Sequence, residues 1–282
     1  MLARMLVGLW LLVYGKFHLR GSGFLIRFFY PFVPGLKAYP LEVPGVGTIP
    51  LDLRQNGSYG MLLRFKLGDP GTDVGLYRAI ENFLRPGAVF WDVGAFAGYI
   101  SAYFAHPRYQ LASVQAFEPN PATLEGLRKL LKNSAVVTIH PFALGNAEQW
   151  MELSVPEASS MASLVRKEGT APKVKIQVRR GDTARKELNI PMPDVIKIDV
   201  EGFEAEVIAG LAETIAAKRP VIFFEHIFLS DRQVQELVPP GYQLWFIGDN
   251  GQLSDRFSSR TEGHDAFLVP ADNPLIRNLQ RG

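Results

Sequence analysis

An acid and two glycines within residues 89–98 form the stretch best suited to hold a cofactor. An apolar run ends at Asp92, Gly94 and Gly98 bracket three small or apolar residues, and a helical pattern begins at Tyr99. This order predicts a strand, a tight turn and a helix. Glycine lets the backbone bend sharply and lets a ligand approach the main chain, while a helix N-terminus offers unpaired N–H groups. The stretch is therefore typical of a nucleotide-type cofactor loop.

The charge of this loop discriminates between cofactors. A dinucleotide site places a pyrophosphate on the helix N-terminus and uses a G-x-G-x-x-G run, whereas this loop has only Gly94 and Gly98, preceded by Asp92. A carboxylate there would repel a diphosphate, but it suits the ammonium and sulfonium groups of S-adenosyl-L-methionine (SAM), which has no phosphate. The loop therefore favours SAM. An ordinary strand-to-helix turn with a polar residue at its mouth is the alternative.

A second acid follows at the position where such folds bind a ribose. Glu118 ends the predicted second strand, and an acid about 20 residues past the glycine turn commonly holds the ribose hydroxyls. A solvated acid at a strand end is the alternative. His140 follows the predicted third strand and is expected to be structural rather than catalytic.

The fourth and fifth predicted strands also end in ionisable side chains. Asp199 and Glu201 close the fourth strand, and Glu225 and His226 close the fifth. Because ligands of open α/β sheets lie beyond the carboxyl ends of the strands, these side chains are expected at the same cleft as Asp92 and Glu118. The small and polar residues 159–164 are expected to form a lid over that cleft.

The composition excludes several classes of function. The chain has 282 residues, 47% of them hydrophobic, which suffices for one α/β domain with an appendage or for two small domains. It has no cysteine, which excludes disulfides, cysteine-ligated zinc and thiol nucleophiles, and fits a reducing compartment. Its net charge of +2 is too small and too dispersed to indicate nucleic acid as the main partner.

Two apolar stretches near the N-terminus carry basic residues. Residues 5–14 lie between Arg4 and Lys16, and residues 24–32 are rich in aromatic side chains and contain Arg27. Ten residues are too few to span a bilayer, which needs about 20 in a helix. Cations beside Trp, Phe and Tyr favour a helix at a membrane interface. A helical hairpin packed on the catalytic domain or on a second subunit is the alternative.

The pattern divides the chain into three segments. Residues 1–35 predict an apolar and basic helical segment, residues 36–70 a small β element, and residues 71–282 a domain of alternating strands and helices. In the tail, a turn containing Asn250 and Gly251 separates apolar runs, which indicates a hairpin. The predicted fold is therefore α/β and Rossmann-like, with a mostly parallel seven-stranded sheet and a C-terminal antiparallel strand.

These motifs together resemble the FkbM family of SAM-dependent methyltransferases. The resemblance covers about residues 71–270, and the first seventy residues lie outside it. It is carried by Phe90-Trp91-Asp92-Val93-Gly94-Ala95, Phe117-Glu118-Pro119-Asn120, Phe142-Ala143-Leu144-Gly145, Ile196-Lys197-Ile198-Asp199-Val200-Glu201-Gly202 and Glu225. The Lys-Ile-Asp-Val-Glu-Gly run is the most specific of these, since the glycine loop is common to many methyltransferases.

The resemblance implies a class I methyltransferase that moves a methyl group from SAM to a hydroxyl of a sugar, glycan, glycolipid or polyketide-like acceptor. The cofactor-binding residues that it implies are Asp92, Gly94, Ala95, Phe96, Gly98, Glu118, Asn120, Ala143 and Asp199. The family usually has Asn at the position of Phe96, so a polar contact to the cofactor is expected to be absent or supplied by a neighbour.

Asp199, Glu201 and His226 are the candidates for the base or for orienting the acceptor, because a hydroxyl must lose its proton as the methyl group arrives. No metal is expected. In a metal-assisted alternative, Asp199, Glu225 and His226 hold a divalent cation against a diol. A SAM-binding or glycan-binding protein without turnover, and a nicotinamide oxidoreductase, are further alternatives.

The expected location is the cytoplasm, either free or peripheral at the inner face of a membrane. The expected partners are the hydroxyl acceptor, a membrane surface contacted through residues 1–32, and further copies of the chain in an oligomer.

Overall fold

The computed structural model describes residues 1–17, 24–43, 47–51, 53–54, 62–63, 66–67, 74–155, 172–248, 252–255 and 263–276. The expected lid at residues 159–164 and the turn residues Asn250 and Gly251 lie outside these ranges.

The N-terminal part contains two helices and a small sheet. The helices are α1 (Leu2–Phe17) and α2 (Phe24–Phe29), followed by a 3-10 turn at Pro34–Leu36. The strands β1 (Tyr39–Val43) and β2 (Gly47–Leu51) pair antiparallel. The division into three segments stays a prediction.

One face of α1 is buried against the rest of the protein. Ala3, Val7 and Trp10 are spaced by four and three residues, so they share one side of the helix, and all three are buried. They belong to a hydrophobic cluster that also contains Ala102 and Leu127, further along the chain. The N-terminal helices are thus anchored to the main domain on this side.

The central sheet has eight described strands in the order β12-β11-β13-β10-β9-β3-β4-β5. The strands are β3 (Val89–Val93), β4 (Ser113–Phe117), β5 (Val137–His140), β9 (Val195–Ile198), β10 (Val221–Glu225), β11 (Tyr242–Ile247), β12 (Leu253–Ser254) and β13 (Asp265–Pro270). Neighbouring strands from β5 through β4, β3 and β9 to β10 are parallel. Strand β13 is antiparallel to β10, β11 is antiparallel to β13, and β12 is antiparallel to β11. The predicted Rossmann-like α/β fold with a mostly parallel sheet is confirmed.

The predicted C-terminal antiparallel strand is β13, which inserts between β10 and β11, so that β11 again runs in the direction of β10. One detail of the sheet differs from the prediction of seven strands. The eighth strand, β12, is a two-residue edge that pairs with Phe246 and Ile247 after the chain turns back from β11. A run this short has no periodicity by which a sequence could reveal it.

Helices and a second sheet complete the main domain. The helices are α3 (Val74–Phe83), α4 (Tyr99–Phe104), α5 (Pro121–Leu131), α6 (Gly181–Glu187), α7 (Glu204–Gly210), α8 (Ala212–Lys218) and α9 (Asp231–Glu236). A smaller sheet has the order β6-β8-β7 and is built from β6 (Ala143–Gly145), β7 (Gln149–Ser154) and β8 (Lys173–Arg180). Within the described residues, no helix combines the length and apolar character needed to cross a bilayer.

Both faces of the parallel strands are covered, which fits their nearly continuous apolar sequences. On β10, Ile222 and Phe224 belong to one buried cluster and Val221 and Phe223 to another. Strand β3 lies between β9 and β4, so the order of strands along the chain reverses beside it. Open α/β sheets bind ligands beyond the carboxyl end of such a strand, and the glycine loop lies there.

The buried face of α1 makes a stability prediction. Trp10→Ala should lower the free energy of unfolding by about 3–5 kcal/mol, as for a large side chain removed from a core, because Trp10 is only 3% exposed. Leu9→Ala is the matched control, since Leu9 is 55% exposed, and should change stability by less than about 0.5 kcal/mol. Urea denaturation of both variants measures the difference, and equal losses would show that α1 does not pack as described.

Candidate active site

The glycine loop is tied to the neighbouring strands by its backbone. The N–H groups of Gly94 and Ala95 both donate to the carbonyl of Phe117 at the end of β4, at 3.0 and 2.9 Å. Gly94 has a positive φ of 79°, and a Cβ added to it would lie 1.8 Å from the carbonyl oxygen of Asp199. Glycine is therefore required here because the ends of β3 and β9 touch, a reason that the sequence did not reveal. Whether the loop also contacts a cofactor stays a prediction.

The second glycine of the loop allows two helices to approach each other. Gly98 is the N-cap of α4 and has a φ of 81°. A Cβ at this position would lie 2.3 Å from the Cδ1 atom of Leu127 on α5. The predicted cofactor role of Gly98 is thus accompanied by a packing role.

Phe96 occupies a backbone conformation that phenylalanine rarely adopts. Its φ is 47°, in the left-handed region that Asn tolerates better than most non-glycine residues. Its backbone N–H donates to Oε2 of Glu118 at 2.8 Å. The Asn that the family usually has at this position therefore suits the bend of the loop, quite apart from any side-chain contact with a cofactor.

Glu118 holds the loop in place. One carboxylate oxygen accepts the bond from Phe96, and the other accepts the backbone N–H of Asn120 at 2.8 Å. The side chain is nearly buried, at 6% exposed, and burial raises the pKa of its carboxyl while these two backbone bonds oppose the rise. The expected ribose contact stays a prediction, because the remaining lone pairs can still accept hydroxyl donors.

Asn120 leaves a buried donor unused. Its Oδ1 accepts the N–H of Ala122 at 3.0 Å and caps α5. Its Nδ2 has no hydrogen-bond partner among the described residues, although the residue is only 1% exposed. A buried donor without a partner is costly, so a ligand acceptor at this position would be favoured.

A buried lysine joins the ends of β3 and β9. The parallel register places Lys197 opposite Asp92. Its Nζ donates to Oδ2 of Asp199 at 3.0 Å and lies 3.7 Å from Oδ1 of Asp92. Burial lowers the pKa of Lys197, but Asp199 and Asp92 outweigh this effect and hold the pKa above its usual value. The lysine therefore stays charged.

Asp92 does not lie open at the mouth of the loop. It is fully buried, and its Oδ2 accepts a hydrogen bond from the Ser101 hydroxyl at 2.6 Å. Burial raises the pKa of its carboxyl, while Lys197 and Ser101 oppose that rise. The expected pairing of Asp92 with the cations of SAM stays a prediction. The ammonium of Lys197 already lies 3.7 Å from the Asp92 carboxylate. The sequence feature that indicates this buried ion pair is Lys197, a lysine within an apolar strand and two residues before Asp199.

Three carboxylates converge at the ends of β9 and β10. Asp199, Glu201 and Glu225 each place an oxygen within 4.8 Å of the other two, and all three residues are half-buried. Burial and the nearby carboxylates of Asp199, Glu201 and Asp265 raise the pKa of Glu225 to about 8. We call these three residues the carboxylate cluster.

His226 is not part of the carboxylate cluster. Its ring packs edge-on against Phe246 at 5.6 Å, and its backbone N–H donates to the carbonyl of His264 at 2.8 Å. Burial lowers the pKa of its imidazole, and His264 adds to this effect. The cation site of the metal-assisted alternative would therefore include Glu201 in place of His226.

Glu204 positions the turn that carries the cluster, and sequence reasoning missed it. Its Oε1 accepts the N–H groups of Val200 and Gly202, both at 3.2 Å. These bonds hold a turn in which Glu201 has a positive φ of 57°. The signal was an acid in the first turn of α7, where it can accept from backbone donors nearby.

Two further residues singled out in the sequence, His140 and Ala143, are buried. His140 stacks on Phe117 at 4.6 Å and its Nε2 bonds to the Gln115 amide oxygen at 2.8 Å; burial lowers the pKa of its imidazole to about 4, which agrees with a structural role. Ala143 is buried in β6 opposite Val178. Its cofactor contact stays a prediction.

The sequence that forms this cleft matches a family of methyltransferases. The chain matches the model of the methyltransferase FkbM domain over residues 92–255, which is more than half of its length. The chain is a member of the FkbM methyltransferase family, as the sequence motifs had indicated.

A curated relative and two solved structures are similar to the chain. The relative is the hexuronic acid methyltransferase AglP of Haloferax volcanii, 30% identical over 152 residues, which cover 53% of this chain and 61% of AglP. The match thus spans less than two thirds of that relative. A methyltransferase FkbM from Methylobacillus flagellatus KT has 16% identity and a TM-score of 0.44, covering 75% of this chain and 53% of that chain. A precorrin-6y C5,15-methyltransferase from Geobacter metallireducens GS-15 has 15% identity and a TM-score of 0.38, covering 70% and 85%.

The contact between Gly94 and Asp199 makes a second stability prediction. Gly94→Ala should lower the free energy of unfolding by at least about 2 kcal/mol, because the new Cβ meets a backbone carbonyl and φ is strained. Gly126→Ala in α5 is the control, since a Cβ there meets nothing within 4 Å, and should raise stability by about 0.5–1 kcal/mol. Denaturant titration of both variants tests this, and an unchanged Gly94→Ala protein would refute the packing role.

Proposed function

We propose that the protein is a SAM-dependent methyltransferase that methylates a hydroxyl of a sugar, glycan, glycolipid or polyketide-like acceptor. The observation that carries the proposal is the carboxylate cluster, Asp199, Glu201 and Glu225, which lies beyond the ends of β9 and β10. The glycine loop ends at the same edge of the sheet, against Asp199. Membership of the FkbM methyltransferase family supports the reaction class.

Two features of the site fit SAM. The unpaired Nδ2 of Asn120 offers a hydrogen bond to a cofactor acceptor. The cleft also has more carboxylates than cations, since Lys197 lies between Asp92 and Asp199, and Glu201 lies beside Asp199. Opposite charges attract strongly in a partly desolvated site, so a bound sulfonium and ammonium would be stabilised. When bound, SAM supplies a methyl group already activated on its sulfonium.

We assign the cofactor to the glycine loop and to the strand ends beside it. The proposed contacts are Asp92, Gly94, Ala95, Phe96, Gly98, Glu118, Asn120, Ala143 and Asp199. Asp92 is fully buried, so we assign it a long-range electrostatic attraction to the SAM cations rather than a direct hydrogen bond. Glu118 is assigned the ribose hydroxyls in addition to its backbone bonds.

The carboxylate cluster is assigned to the acceptor. Carboxylate oxygens accept hydrogen bonds from sugar hydroxyls, and a positioned carboxylate can remove the hydroxyl proton as the new bond forms. Asp199 is held by Lys197, so we assign it to orientation. Glu201 and Glu225 are the groups placed to take the proton, and Glu225 can do so only when ionised, which its raised pKa of about 8 favours at alkaline pH. His226 is the remaining candidate base, with its ring against Phe246.

The acceptor class rests on the name of a relative. AglP is named a hexuronic acid methyltransferase, and the chain matches 61% of its length. This supports a sugar acceptor. The rates of methyl transfer to a hexuronic acid and to a neutral hexose should therefore be compared in the same assay.

Metal-assisted transfer is the second candidate, because the three cluster oxygens are close enough to share one divalent cation. In that case a chelator should abolish activity, and magnesium or manganese should restore it. We expect the chelator to have little effect, since sugar hydroxyls also seek carboxylate acceptors. Metal-reversible inhibition would make Asp199, Glu201 and Glu225 ligands.

The acceptor assignment predicts the effect of neutral substitutions. We measure transfer of labelled methyl from SAM to sugars by Glu201→Gln and Glu225→Gln. The variant that removes the base should transfer methyl about 10²–10⁴-fold more slowly than the wild type, and its affinity for SAM should be nearly unchanged. Glu125→Gln, at an exposed site on α5, is the matched control and should keep the wild-type rate. A comparable loss in His226→Gln alone would move the base there. SAM binding without transfer to any hydroxyl acceptor would favour a binding protein.

A further inference from the structure

The N-terminal helices present an apolar surface to solvent. On α1, the exposed residues Leu2, Met5, Leu9 and Leu12 are spaced by three, four and three residues, so they share one face. Phe24 and Phe28 of α2 and Phe32 after it are also exposed, and α1 packs on α2. We call these seven residues the apolar N-terminal surface: Leu2, Met5, Leu9, Leu12, Phe24, Phe28 and Phe32.

Packing among the residues that the structure describes does not account for this surface. The face of α1 that packs on the main domain is the one with Ala3, Val7 and Trp10, which lies opposite. Among the described residues, thirteen large apolar side chains are exposed, and eight of them lie within the first 32 positions. Scattered exposed apolar residues are ordinary, but a concentration of this kind marks an interaction site.

The charge of the segment points to the chemistry of the partner. Residues 1–41 contain no Asp or Glu, whereas they contain the cations Arg4, Lys16, Arg20, Arg27 and Lys37. Arg4, Arg27 and Lys37 are exposed in the structure. Such a segment attracts anionic headgroups at the boundary where its apolar side chains can leave water.

We propose that the apolar N-terminal surface binds the interface of a membrane that contains anionic lipids. Helix α1 lies along the membrane with Leu2, Met5, Leu9 and Leu12 inserted among the lipid chains. The cations flanking this surface contact the headgroups. The proposal rests on the N-terminal segment alone and is independent of the proposed methyl transfer.

Vesicle sedimentation of the full chain tests the apolar part of the proposal. The vesicles are made of phosphatidylcholine, with or without phosphatidylglycerol, and binding should be stronger with the anionic lipid. Leu9→Glu and Phe28→Glu should each weaken this binding about tenfold, because each puts a charge in place of an inserted side chain. Leu188→Glu is the control, since Leu188 is exposed outside the N-terminal segment, and it should bind like the wild type.

Charge removal tests the electrostatic part. Arg4→Gln and Arg27→Gln should each weaken binding to the anionic vesicles about fivefold and leave binding to phosphatidylcholine unchanged. Thermal unfolding of each variant confirms that the fold is intact. Equal sedimentation of the wild type and of Leu9→Glu would overturn the proposal. So would a wild-type dimer in analytical ultracentrifugation that Leu9→Glu converts to a monomer, since a second copy would then cover the surface.

Discussion

The buried ammonium of Lys197 is the constraint on which the site depends. Removing a charged amine from water costs several kcal/mol, and only close carboxylates with good geometry offset that cost. Asp199 supplies a hydrogen bond at 3.0 Å, and Asp92 lies 3.7 Å away on the adjacent strand. Because the register of β3 and β9 sets Asp92 opposite Lys197, a slip of either strand would leave charges buried without partners. The charge pairing therefore fixes the two strand ends that form the cleft.

Backbone contacts extend this constraint to the rest of the cleft. Gly94 lies against the carbonyl of Asp199, Glu118 binds the loop at Phe96 and the start of α5, and Glu204 binds the turn that carries Glu201. Acids thus perform two different tasks at one edge of the sheet. Glu118 and Glu204 satisfy backbone donors, while Glu201 and Glu225 each place an oxygen within 4.8 Å of the other and of Asp199.

The sequence predicted which acids meet because carboxyl ends of parallel strands share one edge, but it did not predict what each acid contacts. The burial of Asp92 and the backbone bonds of Glu118 depend on register and turn geometry, which no periodicity reveals. The alternation of side chains along a strand separates His226 from Glu225, since adjacent strand residues point to opposite faces. If Glu225 lies beside Asp199, His226 is directed elsewhere, and its ring indeed lies against Phe246. The two-residue β12 has no periodicity of its own, although the turn residues Asn250 and Gly251 had indicated a hairpin in this part of the chain.

The stability of Lys197→Met as a function of pH tests the central constraint most directly. At neutral pH we expect urea denaturation to show a loss of about 3 kcal/mol, the typical cost of leaving a buried charge without its partner. Lys197 lowers the pKa of Asp92, so without it the folded-state pKa lies further above the unfolded value. Between these two pKa values the folded state binds more protons than the unfolded state, so stability should recover as the pH falls from the folded-state pKa to the unfolded one. Lys186→Met, at an exposed ion pair with Glu213, should show neither effect. Equal, pH-independent losses in the two variants would contradict this account.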